Sequence, residues 1–427
     1  MKNIIVKIEK LFKTGFFHIF GSSVINKCLG FLSNIILVRL LTKSEYGQFT
    51  YAWNIYSMVI ILNGIGADAA IVQLCSEHSG DEKYARKISN FGARYGSFSC
   101  VVLGVILLFV AFFVPLKIQN ANEILALLCA LPFMQFLYNL FLVYLRSQKR
   151  NQEYSNLSII NTALHLLLSV AGALLFREKG LVFGYYISYL IACLIGVFSM
   201  RLQIFSQEED LTASEKKSML SISLVSACNN GLSQVMYLLD IFVLGIVAAQ
   251  DTVLASYRVS MTIPSALAFI PGSLVIYLYP YFAEHRNDGK WCLQNYRKIM
   301  VIFGAFNLLT SMLLVVLAPF IIRILYGNQY LDAVPVFRIL SCNYFISATF
   351  RSVAGNLLVT QRKLKFNFFV GLISSIINII ADFFFIQWWA SMGAALATVL
   401  VTSVSGVLYT SYLMYVFKKQ KRIGVDK

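Results

Sequence analysis

Long apolar runs recur along the whole chain and are separated by short polar loops. A helix needs about 20 apolar residues to cross a bilayer, and twelve runs reach that length. They lack the alternating apolar and polar period of membrane β-barrel strands. The pattern therefore predicts twelve transmembrane helices, at residues 15–41, 47–74, 91–115, 123–146, 156–176, 181–204, 218–248, 254–283, 298–319, 333–359, 368–387 and 391–417.

Basic residues are concentrated in every second loop. If the N-terminus lies in the cytoplasm, the loops on that side carry 25 of the 36 lysine and arginine residues, and the opposite loops carry five. Cytoplasmic loops of membrane proteins show such an excess. We therefore expect both termini in the cytoplasm. The basic, amphipathic residues 1–14 are typical of a helix that lies in the membrane interface.

The composition agrees with a membrane protein. Hydrophobic residues make up 58% of the chain, charged residues make up 13%, and the mean hydropathy is +0.70, whereas soluble domains carry about 25% charged residues. The net charge of +16 is dispersed over loops too short for a soluble domain, and the chain has no phosphate-binding loop motif. The eight cysteines and four histidines lack metal-ligand spacing. We predict no enzymatic activity, no cofactor, no metal and no nucleic-acid partner.

The two halves of the chain resemble each other. A shift of 213 residues places residues 147–150 on 360–363 and Gly180 on Gly393 without a gap, and a shift of 201 places Arg39 on Asp240. The first register also aligns two polar helix faces, one formed by Ser158, Asn161, His165 and Ser169 and the other by Gly371, Ser374, Asn378 and Asp382. Because transporters are commonly built from duplicated halves, we predict an all-α polytopic fold with two six-helix lobes around a central cavity.

This repeat sets the predicted domain boundaries. They are a cytoplasmic interfacial segment at 1–14, an N-terminal lobe at 15–204, a cytoplasmic linker at 205–217, a C-terminal lobe at 218–417 and a basic cytoplasmic tail at 418–427.

Nine charged residues fall inside the predicted spans. Six are basic and three are acidic: Lys27, Arg39, Arg94, Arg258, Arg338 and Arg351, with Asp68, Asp240 and Asp382. A charge at membrane depth costs at least ~2.5 kcal/mol on insertion scales, so such residues usually face a protein interior, a partner charge or a wet path. Near the ends of the spans, basic side chains can instead snorkel to the interface, and small polar residues on the same helices can bond neighbouring helices.

Six segments resemble the polysaccharide-transport flippases, of the Wzx or O-antigen kind, which share a superfamily with the multidrug and toxin extrusion transporters. The segments are 36–41 (Ile-Leu-Val-Arg-Leu-Leu), 45–49 (Glu-Tyr-Gly-Gln-Phe), 63–68 (Asn-Gly-Ile-Gly-Ala-Asp), 325–330 (Leu-Tyr-Gly-Asn-Gln-Tyr), 377–379 (Ile-Asn-Ile) and 393–398 (Gly-Ala-Ala-Leu-Ala-Thr). Together they extend over nearly the whole chain.

The resemblance implies a function and a place in the cell. Such flippases move undecaprenyl-diphosphate-linked oligosaccharide repeat units of O-antigen or another surface polysaccharide across the bacterial inner membrane by alternating access. The expected partners are this lipid-linked oligosaccharide, the lipid bilayer, and a polysaccharide polymerase with its chain-length proteins. A multidrug or cation antiporter of the same fold and a lipid II-type flippase are two alternatives. The third, a membrane glycosyltransferase or polysaccharide polymerase, would usually carry a large soluble loop, and the sequence has none.

An anionic diphosphate needs a cationic path through the membrane, so the charged residues are candidates for the site. The predicted substrate path consists of Lys27, Arg39, Arg258, Arg351, Asn230 and Asn378. We expect Asp68, Asp240 and Asp382 either to pair with these basic residues in the empty transporter or to carry a coupling proton or sodium ion, because burial tunes the ionisation of a carboxylate.

Overall fold

A computed structural model describes residues 16–78, 81–199 and 211–423. All regular structure within these ranges is helical. The predicted interfacial segment 1–14 lies outside the described residues, as do 205–210 of the predicted linker and 424–427 of the predicted tail.

Eight helices lie in the described residues of the first half of the chain. They are α1 (Phe16–Leu40), α2 (Lys43–Val59), α3 (Ala67–Glu77), α4 (Glu82–Phe113), α5 (Ala121–Leu127), α6 (Leu131–Ser147), α7 (Asn151–Leu194) and α8 (Ala213–Val247). A tight 3₁₀ segment, Ile60–Gly66, joins α2 to α3, and a π-helical turn, Ile195–Ser199, follows α7.

Six more helices lie in the second half, between residues 251 and 423. They are α9 (Asp251–Ala266), α10 (Phe269–Glu284), α11 (Gly289–Tyr326), α12 (Val334–Ile346), α13 (Val353–Thr360) and α14 (Leu364–Ile423). A 3₁₀ segment, Asn328–Ala333, precedes α12, and a π-helical segment, Ser347–Ser352, joins α12 to α13.

The chain divides into two compact units, Met1–Leu238 and Leu239–Lys427, which we call the N-unit and the C-unit. The division falls inside α8. The lobe boundaries derived from the sequence, and the central cavity between the lobes, stay predictions.

Many large apolar side chains on the helices are exposed rather than buried. Phe112 is 75% exposed and Ile302 is 72% exposed, which suits a hydrocarbon environment rather than water. Eight helical segments among the described residues are long and apolar enough to cross a membrane, or nine if the bent pair α5 and α6 counts as one span. The chain is thus an all-α polytopic membrane protein, and the number twelve stays a prediction.

Side-chain caps explain where several helices begin. Thr42 accepts a hydrogen bond from the backbone N–H of Glu45 at 3.3 Å, and the Glu45 carboxylate accepts one from the N–H of Thr42 at 2.8 Å. This reciprocal capping box satisfies two backbone donors that a helix start otherwise leaves unpaired. Asp81 and Asp288 cap α4 and α11 without a reciprocal partner, each accepting from a backbone N–H three residues later at 2.9 Å.

Helix α7 reverses direction at Arg177, whose φ is 54° and ψ −137°. A Cβ atom on Gly180 would lie 1.9 Å from the carbonyl oxygen of Gly172, although eight residues of straight helix would separate the two by about 12 Å. The two arms of α7 therefore pack against each other as a hairpin. The small residues at this contact let the two backbones approach closely, as is common between membrane helices.

The second hairpin, α14, repeats the first at a shift of 213 residues. It reverses at Ala390, with φ 46° and ψ −122°, which is the position equivalent to Arg177. A Cβ on Gly393 would lie 2.0 Å from the carbonyl oxygen of Phe385, which repeats the contact between Gly180 and Gly172. The turns before the hairpins also match, because Lys149 and Arg362 both have φ of 57°. The backbone geometry thus follows the register read from the sequence.

Candidate functional site: a buried carboxylate pair in the C-unit

Asp240 lies in the last turns of α8 and is only 8% exposed. Its Oδ2 atom accepts hydrogen bonds from the Tyr257 hydroxyl and the Thr398 hydroxyl, both at 2.7 Å. Its Oδ1 atom lies 3.4 Å from the amide nitrogen of Asn378, which donates to it. Both carboxylate oxygens of Asp240 therefore have polar partners.

Asp382 is fully buried beside this group. We call Asp240, Asp382, Asn378, Thr398 and Tyr257 the carboxylate cluster. The same Asn378 amide nitrogen that donates to Asp240 donates to Asp382 Oδ2 at 3.2 Å. The other oxygen, Asp382 Oδ1, is buried without a hydrogen-bond partner. An unpaired buried carboxylate oxygen is unfavourable, so this atom marks a position where a proton or a cation would be stabilised.

The hairpin α14 creates this arrangement. Asn378 and Asp382 are four residues apart on its first arm, so they lie on one helix face. Thr398 lies on the second arm, beyond the reversal at Ala390. The reversal therefore places side chains from both arms around Asp240, and α9 adds the hydroxyl of Tyr257.

The cluster supplies acceptor oxygens for a small cation. Two carboxylates, an amide and two hydroxyls lie within one buried site. Two carboxylates at membrane depth are costly if both are ionised and uncompensated. Asp240 and Asp382 have no basic partner within the described part of the C-unit. The site thus has the chemistry to take up a proton or a monovalent metal ion.

The predicted cationic residues lie at several separate positions. Lys27 and Arg39 are exposed on α1 of the N-unit. Arg258 is half-buried on α9, with one guanidinium nitrogen 3.9 Å from the Met261 sulfur. Arg351 is half-buried in the π-helical segment before α13, a kind of helix irregularity found frequently at functional sites.

The remaining predicted residues have different positions. Asn378 belongs to the carboxylate cluster. The backbone of Asn230 is helical within α8, and its side chain lies outside the described residues. Asp68 lies in the N-unit, in the first turn of α3, where it lines a cavity of about 240 Å³.

Sequence reasoning missed two members of the cluster, Tyr257 and Thr398. Thr398 ends a segment whose resemblance to the flippase family is visible in the sequence, so a signal for it existed. Tyr257 precedes the charged Arg258 and shares its span, but nothing in the local sequence distinguishes it from the other 22 tyrosines.

A family of known proteins matches most of the chain. Residues 36–335 match the sequence profile of the family described as "Polysaccharide biosynthesis protein". The chain belongs to this family. One relative is an uncharacterized membrane protein in the cps region of Klebsiella pneumoniae. It is 23% identical over 402 residues, which cover 90% of this chain and 79% of that relative.

Solved structures identify the fold of this family member. The inward-facing conformation of a multidrug resistance MATE family transporter of the MOP superfamily superposes with a TM-score of 0.72 and 13% identity, covering 93% of this chain and 96% of that one. The inward closed conformation of lipid II flippase MurJ superposes with a TM-score of 0.70 and 17% identity, covering 95% and 90%.

A MOP superfamily transporter from Pyrococcus furiosus, described by the reverse polarity of its binding pocket, has a TM-score of 0.59, 12% identity and coverage of 95% and 96%. At these identities the likeness shows the fold alone. That fold is the one used by transporters and a flippase, which agrees with the prediction of transport rather than catalysis.

Proposed function

We propose that this protein is a flippase that moves undecaprenyl-diphosphate-linked oligosaccharide repeat units across the bacterial inner membrane by alternating access. Membership of a polysaccharide biosynthesis family, on a fold shared with transporters and a lipid II flippase, carries the proposal. The glycan belongs to O-antigen or to another surface polysaccharide. A polysaccharide polymerase and chain-length proteins would then act on the translocated unit, and both termini would lie in the cytoplasm.

Coupling to a cation is the second part of the proposal. The buried pair of Asp240 and Asp382, with Asn378 and Thr398 beside it, supplies the oxygen ligands and the unpaired atom that cation uptake requires. Binding of one cation would remove the repulsion between the two carboxylates. Because the cluster draws on α8, α9 and both arms of α14, occupation by a cation would favour the conformation in which these helices pack together.

The basic residues would attract the diphosphate. Lys27 and Arg39 on α1, and Arg258 and Arg351 in the C-unit, are charged groups within apolar helical segments. A basic residue near a membrane surface contributes about 1 kcal/mol to the attraction of an anionic lipid. The polyprenyl tail can remain in the bilayer while the polar headgroup passes through a wet path.

A deletion strain tests the transport proposal. Loss of the gene should abolish the surface polysaccharide, while the lipid-linked repeat unit continues to be made and accumulates on the cytoplasmic face. The measurement is the amount of lipid-linked glycan, with its accessibility to a glycan-binding probe added to spheroplasts. Normal surface glycan in a strain without a second flippase would contradict the proposal.

The multidrug alternative rests on the structural likeness to a MATE family transporter. The same deletion strain separates the two functions. A flippase predicts unchanged sensitivity to cationic dyes and loss of surface glycan. Increased dye sensitivity with normal surface glycan would instead favour a multidrug antiporter.

The coupling ion is tested on purified protein in liposomes. A sodium site predicts saturable binding of ²²Na⁺ that Asp382→Asn removes. A proton site predicts no such binding, but proton release when flipping begins. Flipping that is independent of both sodium and pH gradients would reject coupling at this cluster.

A further inference from the structure

The second predicted span of the N-unit is broken where α2 ends. After Asn63, with ψ of 123°, the next three residues all have left-handed backbone: Gly64 at φ 62°, Ile65 at φ 44° and Gly66 at φ 72°. Left-handed geometry is strained for a β-branched residue such as Ile65. Strained backbone persists only where the surroundings enforce it, and it is concentrated at ligand sites and switch regions.

Neighbouring helices hold this break in place. A Cβ on Gly66 would lie 2.3 Å from the carbonyl oxygen of Ser223 on α8, and a Cβ on Gly64 would lie 2.5 Å from the ring of Phe136 on α6. The side chain of Asn63 also fixes the break, because its amide donates to the carbonyl of Pro132 at 3.3 Å and its oxygen accepts from the Cys100 thiol. Packing and hydrogen bonds within the N-unit therefore stabilise the break.

A cavity of about 240 Å³ lies beside the break, and we call it the N-unit pocket. Its polar lining consists of Asn63, Asp68, Gln135, Asn139 and Ser226, and Ile60 and Ile61 form part of its apolar wall. Drug-sized ligands occupy pockets of roughly 300–1,000 Å³. The N-unit pocket therefore suits a smaller group.

Several of these polar groups have no partner within the described part of the N-unit. This applies to the Asp68 carboxylate, the Asn139 amide and the Ser226 hydroxyl. Gln135 is half-used, because its oxygen accepts a hydrogen bond from the Tyr56 hydroxyl at 2.7 Å, which leaves its NH₂ group as a donor. Asp68, Gln135, Asn139 and Ser226 are half-buried and line the pocket, so their donors and acceptors are available to a polar ligand that enters it.

We infer that the N-unit pocket binds one sugar residue of the transported glycan, with Asp68 as its main hydrogen-bond acceptor. The inference rests on the proposed flippase function and deepens it by naming a site for the glycan. The pocket offers a carboxylate acceptor, an amide donor on Gln135, and groups on Asn139 and Ser226 that both donate and accept. Sugar hydroxyls use donors and acceptors together, and the side chains of Ile60 and Ile61 give the apolar face of a sugar a surface to contact.

A bare cation fits the pocket less well. A metal ion needs several oxygens that converge at short distances, whereas the free NH₂ group of Gln135 is a donor and cannot bind a cation. The pocket is also larger than one ion requires. This contrasts with the carboxylate cluster of the C-unit, where oxygen atoms are concentrated and an unpaired carboxylate oxygen is buried.

The test uses the full-length protein in nanodiscs and two probes. One probe is the free oligosaccharide that mild acid releases from the lipid-linked glycan accumulated in the deletion strain. The other is undecaprenyl diphosphate without sugar. The variants are Asp68→Asn, Gln135→Leu and Asn139→Leu, with Gln73→Leu as the matched control. Gln73 is exposed on α3 and bonds only to Glu77 at 3.0 Å.

We expect each pocket variant to weaken oligosaccharide binding by at least ~tenfold, because each removes a hydrogen bond to a buried polar group. Binding of undecaprenyl diphosphate should stay within ~twofold of wild type, and the control should match wild type for both probes. Thermal melting of each variant shows that it is folded, and three separate variants keep the result independent of any one of them.

Four outcomes would overturn the inference. If the wild-type protein binds undecaprenyl diphosphate but not the oligosaccharide, the sugar site is rejected and the proposed flippase function is unaffected. Unchanged oligosaccharide affinity in the pocket variants does the same. Asp68→Asn that alters the sodium or pH response without affecting oligosaccharide binding makes Asp68 an ion site. A deletion strain that accumulates no lipid-linked glycan removes the proposed function, and this inference with it.

Discussion

The hairpins α7 and α14 have the same backbone and different chemistry. At the 213-residue shift, His165 corresponds to Asn378, Ser169 to Asp382, and Tyr185 to Thr398. In α7 the His165 ring stacks on Tyr185 with a centroid distance of 3.8 Å, and its Nδ1 lies 3.1 Å from the Ser188 hydroxyl. In α14 the corresponding positions hold an amide, a carboxylate and a hydroxyl around Asp240.

The comparison separates what a duplicated backbone needs from what function needs. The reversal and its close contact are kept in both hairpins, because each must pack two helices together. The polar residues inside the hairpins have diverged. Aromatic stacking and a hydrogen bond join the two arms of the N-unit hairpin, whereas the C-unit hairpin carries an acidic residue of the carboxylate cluster. Within the two hairpins, therefore, only the second has the ligands for a cation.

The strongest test of this difference is to neutralise the acidic hairpin. Asp382→Asn should weaken cation binding by at least ~100-fold, because even indirect partners of a metal site change affinity by 10- to 100-fold. Cation-driven flipping in liposomes should fall with it. Ser169→Ala, at the equivalent position of α7, is the matched control and should flip normally. Full flipping by a well-expressed Asp382→Asn variant would remove the proposed asymmetry between the hairpins.

The shared backbone is tested at the two glycine contacts. Gly180→Ala and Gly393→Ala each place a Cβ about 2 Å from a backbone carbonyl oxygen, and overpacking of this kind destabilises by about 1–3 kcal/mol. Both variants should lower the melting temperature of the detergent-solubilised protein by similar amounts. Gly371→Ala, on the same helix as Gly393 and with open space around its Cβ, should melt as wild type. A large loss for only one of the pair would argue against equivalent hairpins.

A smaller effect is expected from the basic residues, one in each unit. Lys27→Gln and Arg258→Gln should each reduce flipping about fivefold, because each removes about 1 kcal/mol of attraction to an anionic headgroup. Membrane insertion should be unaffected, since loss of a charge at depth also removes its desolvation cost. Lys27→Arg keeps the charge and should restore activity. If both glutamine variants support full surface glycan, these residues do not bind the substrate.

The smallest effect concerns the tips of the hairpins. Arg177 at the first tip forms a bidentate ion pair with Glu45, with both nitrogen–oxygen distances at 2.9 Å, whereas Ala390 at the second tip has no such side chain. The pair is partly exposed, so Arg177→Gln should destabilise by less than about 1 kcal/mol. Glu45→Gln retains a residue suited to the capping box and should cost no more.

Thermal melting of the two single variants and the double variant measures the coupling between Arg177 and Glu45. High salt should reduce it, because salt screens exposed charges. A coupling free energy well above ~1 kcal/mol, unchanged by salt, would show that the Arg177–Glu45 pair stabilises the first tip more than an exposed ion pair does.

Much of the fold was predictable because its determinants are local. Apolar runs set the helices, and α1 at 16–40 follows the run 15–41 closely. The register of the repeat was also visible, since loop residues such as Lys149 and Arg362 keep their spacing along the chain. The reversals at Arg177 and Ala390 are 213 residues apart, in agreement with that register. The capping residues Thr42 and Glu45 lie within one turn of each other, so their role was equally local.

The tertiary structure alone decided which polar residues act together. The sequence marks Asp68, Asp240 and Asp382 equally, as carboxylates inside apolar runs. Only the packing of the helices distinguishes their environments. Asp240 accepts hydrogen bonds from Asn378 and Thr398, which lie 138 and 158 positions later in the chain. Asp68 instead lines a pocket of the N-unit beside a helix break. Hydropathy and helical spacing are properties of neighbouring residues, whereas a binding site depends on contacts that form only when distant helices pack.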